Sequence, residues 1–224
     1  MGEDGAMEGE AMDSCELLST SVEATLAWAE ALGRRLGPGS VIALDGDLGA
    51  GKTTFVRGLC EGLDVSDPVH SPSYTLMHSY AGRLEVFHFD AWMEGREAAF
   101  LDGGGVEWLF GDGVSVIEWA RRVADYLPEE RLEIEFLHLK APEIDDDGHP
   151  LGDPLRGIRV LARGATYSSL IAELTSPEAL PLGLRIARKA DSIPPSSYSL
   201  PKKEPQDSLN QAESGPLKAP ERLI

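Results

Sequence analysis

Residues 46 to 55 read GDLGAGKTTF, and Gly46 to Thr53 fits the spacing G-x-x-x-x-G-K-[ST]. That spacing has a meaning only in one context, a strand before it and a helix after it. Both are legible. Ser40 to Asp45 (SVIALD) is a short apolar run of strand type, and Thr54 to Leu63 sets Phe55, Leu59 and Leu63 at helical intervals. In such a loop Gly46, Gly49 and Gly51 let the backbone turn its N–H groups around phosphates, and the helix N-terminus adds partial positive charge. Asp47, Leu48, Ala50 and Thr54 complete the lining; Lys52 is expected to bridge the outer phosphates and the Thr53 hydroxyl to sit on Mg²⁺.

A phosphate loop also needs a carboxylate at the end of a neighbouring apolar strand, to hold the metal and orient water. Two are on offer: Asp90 closes VFHFD and Glu118 closes VSVIE. Each alone is as readily an ordinary strand-end acid. Trp119 reads as packing, with a second use as a rigid reporter of nucleotide state. The five histidines lack metal-ligand spacing, so no zinc site is expected. His88, alternating with Phe87 and Phe89, reads as a sheet-face residue, whereas His70 in the Pro-rich loop is placed to face a nucleotide.

Along the chain, Thr20 opens T-S-V-E, a capping-box spacing, and its helix is expected to run to Gly37-Pro38-Gly39. Residues 64 to 75 hold two prolines and several hydroxyls and predict an ordered loop. Tyr74 to Tyr80 and Arg83 to Phe89 predict a hairpin turning at Ala81-Gly82. Two short helices broken at Gly103 to Gly105 follow, then a buried strand at Val114 to Ile117 and a short helix from Ala120 to Tyr126. Strands at Arg131 to Lys140 and Gly157 to Ala162 flank an acidic loop with Asp145, Asp146 and Asp147, and a helix from Thr166 to Leu174 closes the domain. This order predicts an α/β fold, a three-layer P-loop NTPase-like sandwich on a mixed sheet, with the nucleotide outside the carboxyl ends of the central strands.

Charge then limits the partners. Of the net −18, residues 1 to 16 carry six acids and no Lys or Arg, residues 17 to 175 carry 26 acids and 13 bases, and residues 176 to 224 carry six acids and seven bases. An acidic body repels phosphodiesters, so any link to RNA is expected to run through a partner. The expected division is a disordered acidic leader over 1–16, a P-loop ATPase domain over 17–175, and a Pro/Ser-rich tail over 176–224, read as mobile, with a docked segment around Leu182 to Ile186 as the alternative. Cys15 in the leader and Cys60 on the helix are expected as reduced thiols. No run approaches a membrane span, and the first residues lack the basic and apolar parts of a secretion signal, which sets a cytoplasmic expectation with no membrane partner.

Taken together, GDLGAGKTTF, SPSYTL at 71 to 76, HFD at 88 to 90 and IEW at 117 to 119 resemble the bacterial TsaE family, over roughly residues 17 to 175. The resemblance implies an ATPase of tRNA threonylcarbamoyladenosine biosynthesis that binds ATP and Mg²⁺ and hydrolyses slowly alone. It implies work with TsaD and TsaB, with tRNA reached only through those partners. By the same resemblance Thr53 and Glu118 hold Mg²⁺, Asp90 orients or activates water, 71 to 76 is a switch segment, and Arg156 lies near the adenine. Departures are Ser73 in place of Thr, Ala91-Trp92-Met93 in place of L-Y-R, and the three glycines from 103. Two other readings stay open. A small-molecule kinase would need a basic clamp, for which only Arg121 and Arg122 are adjacent; a nucleotide-sensing module would use the same loop with negligible catalysis.

Overall fold

A computed structural model describes residues 13–93, 95–140, 143–144, 150–151, 155–188, 191 and 193–194. In chain order they form β1 (Ser14–Ser19), α1 (Val22–Gly33), β2 (Val41–Gly46), α2 (Lys52–Gly62), β3 (Met77–Tyr80) and β4 (Val86–Asp90). Next come α3 (Arg96–Phe100), a π turn (Leu101–Gly105), α4 (Val106–Leu109), β5 (Val114–Glu118), a 3-10 turn (Ala120–Tyr126) and β6 (Arg131–Lys140). The short β7 (Glu143–Ile144) and β8 (Pro150–Leu151), β9 (Leu155–Arg163), α5 (Ala165–Leu174) and β10 (Leu184–Ile186) complete the set.

One sheet of eight strands, ordered β10-β1-β9-β6-β2-β5-β4-β3, forms the middle layer. Its centre is parallel: β2 runs with β5 on one side and β6 on the other, and β4 runs with β5. Its flanks are antiparallel, through β3 at one end and through β9, β1 and β10 at the other. The expected mixed sheet and layered sandwich are what the chain forms. Because β2 sends its successors to both sides, the loop after it opens at a switch point, where a crevice forms at the carboxyl ends of parallel strands.

Alternation along β2 explains the layers. Ile42 and Leu44 pack with α1, α2 and α5, whereas Val41 and Ala43 pack with Leu101, Leu109, Val123 and Leu127 on the opposite face. On the first face Phe55 of α2 sits between Trp28 of α1 and Phe136 of β6, with ring centroids 5.8 and 5.6 Å away. Burying a side chain of that size stabilises by roughly 1.5–3 kcal/mol, which fixes the helix that opens the phosphate loop. The two helices approach closely because Gly62 has no Cβ; one built there would lie 2.1 Å from the Glu30 carbonyl oxygen.

Several boundaries differ from the sequence reading, each for a tertiary reason. The cap of α1 is Ser21, whose Oγ accepts from Ala24 N, because Thr20 is turned to Gly183 O instead. The helix ends at Gly33, four residues before Gly37, and the Arg83 guanidinium donates to Gly33 O and Leu36 O at 2.6 and 2.8 Å. That contact draws residues 81–85 onto the helices, so the β3–β4 connection is five residues long, not a two-residue turn. Tyr74 to Leu76 leaves the strand because Leu76 N and Thr75 N both donate to Pro72 O.

Composition misplaced the start of the domain, and of the two readings of the tail the docked segment around Leu182 to Ile186 is the one formed. The acidic segment contributes a strand from Ser14, with Cys15 opposite Val160, and the Pro/Ser-rich segment contributes β10, paired to β1 through Leu184↔Ser19. Each run is too short to show a period, yet each finds an open sheet edge. Residues 1–12 and 195–224, and the acidic loop at 145–147, lie outside the described residues. Both cysteines are free, and burial pushes each thiol up to about 12. Among the described residues no helix is long and apolar enough to cross a membrane.

Candidate nucleotide site

The loop after β2 is shaped by its glycines. Gly46 has φ +126° and lies so close to β6 that a Cβ would meet Phe136 O at 2.2 Å, so no larger residue fits. Gly51, at φ +117°, is the N-cap of α2 and offers no side chain to its first turn. Lys52, Thr53 and Thr54 of that turn line a cleft of about 470 Å³, together with Leu48, Gly49, Gly51 and residues from three other segments. An uncapped first turn at a polar cleft is a ready anion site.

Lys52 is nearly buried. Its Nζ donates to Gly46 O at 2.6 Å and Asp47 O at 3.0 Å and stands 3.7 Å from the centre of the Trp119 ring. Burial pushes the ammonium below its ordinary value, against the opposing pull of Glu118, Asp45, Asp90 and Asp47. Trp119 adopts the left-handed region, φ 59°, a conformation that costs an aromatic residue on the order of 1–3 kcal/mol. Its contacts with Lys52 and with Trp92, 4.6 Å away between centroids, offset that strain. Trp119 therefore both packs and faces the cleft.

Both expected carboxylates arrive at this cleft. Parallel pairing of β4 with β5 puts Asp90 opposite Glu118 at the last register position, with both side chains buried on the α2 side. Glu118 Oε1 accepts from Thr53 Oγ1 at 2.8 Å and faces His88 Nε2 at 3.0 Å. Asp90 is occupied differently: Oδ2 accepts from Ser71 Oγ at 2.8 Å and Ser73 Oγ at 2.5 Å, and Oδ1 from Trp92 N at 2.9 Å. The hydroxyl-rich loop is thus tied to Asp90.

The other expected residues are more scattered. Arg156 stands beside Gly51, where a Cβ would be 3.6 Å from its Nε, but outside the residues that line the cleft. His70 is exposed and also off the cleft, held through its backbone by the Tyr80 hydroxyl. Arg121 is engaged by Asp45 and Glu135, and Arg122 by the Trp92 ring and carbonyl, so neither stands as a clamp over the cleft. Sequence reasoning set Ser71 and Ser73 in a switch segment by resemblance, but gave neither hydroxyl its partner, Asp90. His88 was taken as a plain sheet-face residue, although its place two residues before Asp90 puts both on one face.

This arrangement suits a magnesium-bound nucleotide. A hydroxyl and a carboxylate 2.8 Å apart at a helix N-terminus are the hard oxygen donors that Mg²⁺ takes. The family profile described as "Threonylcarbamoyl adenosine biosynthesis protein TsaE" matches residues 19–144. The chain belongs to the TsaE family. The tRNA threonylcarbamoyladenosine biosynthesis protein TsaE of Treponema pallidum (strain Nichols) is 44% identical over 119 residues, 53% of this chain and 88% of that one. The protein of the same name from Bacillus subtilis (strain 168) is 38% identical over 139 residues, 62% of this chain and 79% of that one. Among solved structures, the one titled "Crystal structure of Bacillus subtilus YdiB" superposes with a TM-score of 0.57 at 34% identity, covering 72% of this chain and 93% of that one. The TsaE profile stops at Ile144, but β9 and β10, which follow it, belong to the same sheet.

Proposed function

We propose that the chain binds ATP with Mg²⁺ in this cleft and hydrolyses it slowly, as the nucleotide-driven component of threonylcarbamoylation of the tRNA adenosine beside the anticodon. TsaD-like and TsaB-like proteins are its partners in this reading, and tRNA is met only through them. The observation that carries it is convergence: Lys52, Thr53, Asp90 and Glu118, from three separate segments, line one cleft.

Within that reading the backbone of Gly46 to Thr54 and the first turn of α2 cradle the phosphates. Thr53 and Glu118 hold Mg²⁺, which neutralises charge on the outer phosphates. Lys52, now held to loop carbonyls, exchanges those for phosphate oxygens, and the buried setting strengthens the contact. Arg156, whose Nε is buried without a hydrogen-bond partner among the described residues, supplies a cation beside Gly51 for the remainder of the nucleotide. Asp90 orients water once a serine hydroxyl releases one of its oxygens. Location in the cytoplasm follows from the same role.

One observation favours a second reading, a nucleotide-sensing module with negligible catalysis: both Asp90 oxygens are already taken by Ser71, Ser73 and Trp92 N. The two are separated by ATP turnover measured alone and with the two partner proteins. Slow turnover that rises with partners supports the ATPase; turnover that is absent in both, with nucleotide still bound, supports the sensor. No binding of nucleotide at all overturns both.

A further inference from the structure

His88 has a place that the nucleotide reading does not use. It lies in the middle of β4, opposite Val116, and is fully buried. Its Nε2 is 3.0 Å from Glu118 Oε1, the same oxygen that accepts from Thr53 Oγ1 at 2.8 Å. On the other side of the ring, Nδ1 is buried with no hydrogen-bond partner among the described residues. The nearest aromatic neighbour, Tyr80, is tilted 34° with its ring centre 6.5 Å away, and the Tyr80 hydroxyl is committed to His78 and to the His70 backbone.

These facts fix what the imidazole does. A carboxylate oxygen accepts, so the proton belongs on Nε2, and the bare lone pair of Nδ1 is left against apolar surroundings, where an acceptor is tolerated better than an unpaired N–H. The opposite tautomer would set a lone pair against a carboxylate and bury an unmatched donor, and both are unfavourable. Where the fork of a guanidinium would engage both carboxylate oxygens, a single Nε2–H donor engages one. It pins that oxygen from within the sheet, which sets the direction in which the carboxylate presents itself to the cleft.

We propose that His88 is a positioning residue: through Nε2–H it holds the Glu118 carboxylate in the orientation that receives the divalent cation alongside Thr53. The inference rests on the magnesium–nucleotide reading of the cleft. It concerns a group that touches neither metal nor nucleotide.

The test compares full-length wild type, His88→Phe, which keeps a ring but removes the donor, and His88→Gln, whose amide places an N–H near the position of Nε2. The probe is Mn²⁺ with ADP, followed by electron paramagnetic resonance, and ADP affinity is measured separately in chelator. Expected is a loss of Mn²⁺ affinity of about 10- to 100-fold in His88→Phe, the usual consequence of removing an orienting partner. ADP affinity in chelator should hold within about threefold, and His88→Gln should recover most of the loss. Folded His88→Phe with unchanged Mn²⁺ affinity overturns the proposal, as does an equal fall with and without metal. If His88→Phe does not fold, ¹⁵N imidazole shifts of the wild type decide: a proton on Nε2 supports the role and a proton on Nδ1 alone overturns it. Wild type that takes up no Mn²⁺ with ADP overturns the magnesium reading itself, and this role with it.

Discussion

Two groups of carboxylates, one in the cleft and one running across the sheet to half-exposed Glu16, are held in opposite ways. In the cleft, Glu118 and Asp90 are held without a guanidinium: by the hydroxyls of Thr53, Ser71 and Ser73, the imidazole of His88 and the backbone N of Trp92. On the other face of the sheet, Asp45, Glu135 and Glu16 form a row across β2, β6 and β1, and each is held by a guanidinium. Arg121 reaches Asp45 and Glu135, and Arg159 reaches Glu135 and Glu16. Register alone builds the row, since Asp45 faces Glu135 and Glu135 and Glu16 both face Arg159. A carboxylate paired with a guanidinium has spent its charge on the fold, whereas one held without a guanidinium keeps it for a cation. Lys52 stands with the first group, and among the described residues it is the only Lys or Arg side chain that lines the cleft.

The largest effect should come from breaking the row. Arg121→Met leaves Asp45 and Glu135 without that partner and is expected to lower unfolding free energy by about 3 kcal/mol, read by urea titration, while Mg·ATP affinity of the folded protein stays within error. Breaking the cleft should do the reverse. Lys52→Ala is expected to reduce ATP turnover by about 100-fold or more with no loss of stability, because burial is the largest influence on that ammonium and the substitution removes it. A variant that melts earlier in proportion to its lost turnover would erase the distinction between the two groups.

Smaller effects sharpen the comparison. Glu118→Gln keeps an acceptor for Thr53 and His88 but not the charge, so the Mg²⁺ concentration needed for turnover should rise about tenfold or more while the melting temperature changes little. An unchanged Mg²⁺ requirement would remove Glu118 from the metal site. In the row, Asp45 is pushed up from 3.8 to about 6, by burial first, against the pull of Arg121. A carboxyl whose folded value is raised favours folding below about pH 4 and loses that contribution as pH rises through about 6. Asp45→Asn should therefore flatten the wild-type change in stability between those two pH values. An identical slope in both proteins would place the titration elsewhere.

Much of this site was legible one segment at a time. The spacing from Gly46 to Thr53, with a strand and a helix around it, announced the phosphate loop, and the apolar runs ending in Asp90 and Glu118 announced where a metal-holding acid could stand. Arg121 shows the limit. From its neighbours it read only as one of two adjacent arginines that a basic clamp would need; in the fold its guanidinium is mostly buried between acids 76 and 14 residues away. The ends of the domain show the same limit, because β1 and β10 are short runs whose only reason to be strands is the open edge each one meets.

By itself, then, the chain determined its central strands and helices, its glycine-rich loop and each of the four motifs that mark its family, since each of these depends on residues within a few positions of one another. Only the tertiary structure decided which donor meets which carboxylate. Glu118 meets Thr53 across 65 residues and His88 across 30; the register of β4 on β5 chose His88, and the seating of α2 on the sheet chose Thr53. Propensity and periodicity act within one helix or strand and carry no information on which distant strand will lie alongside.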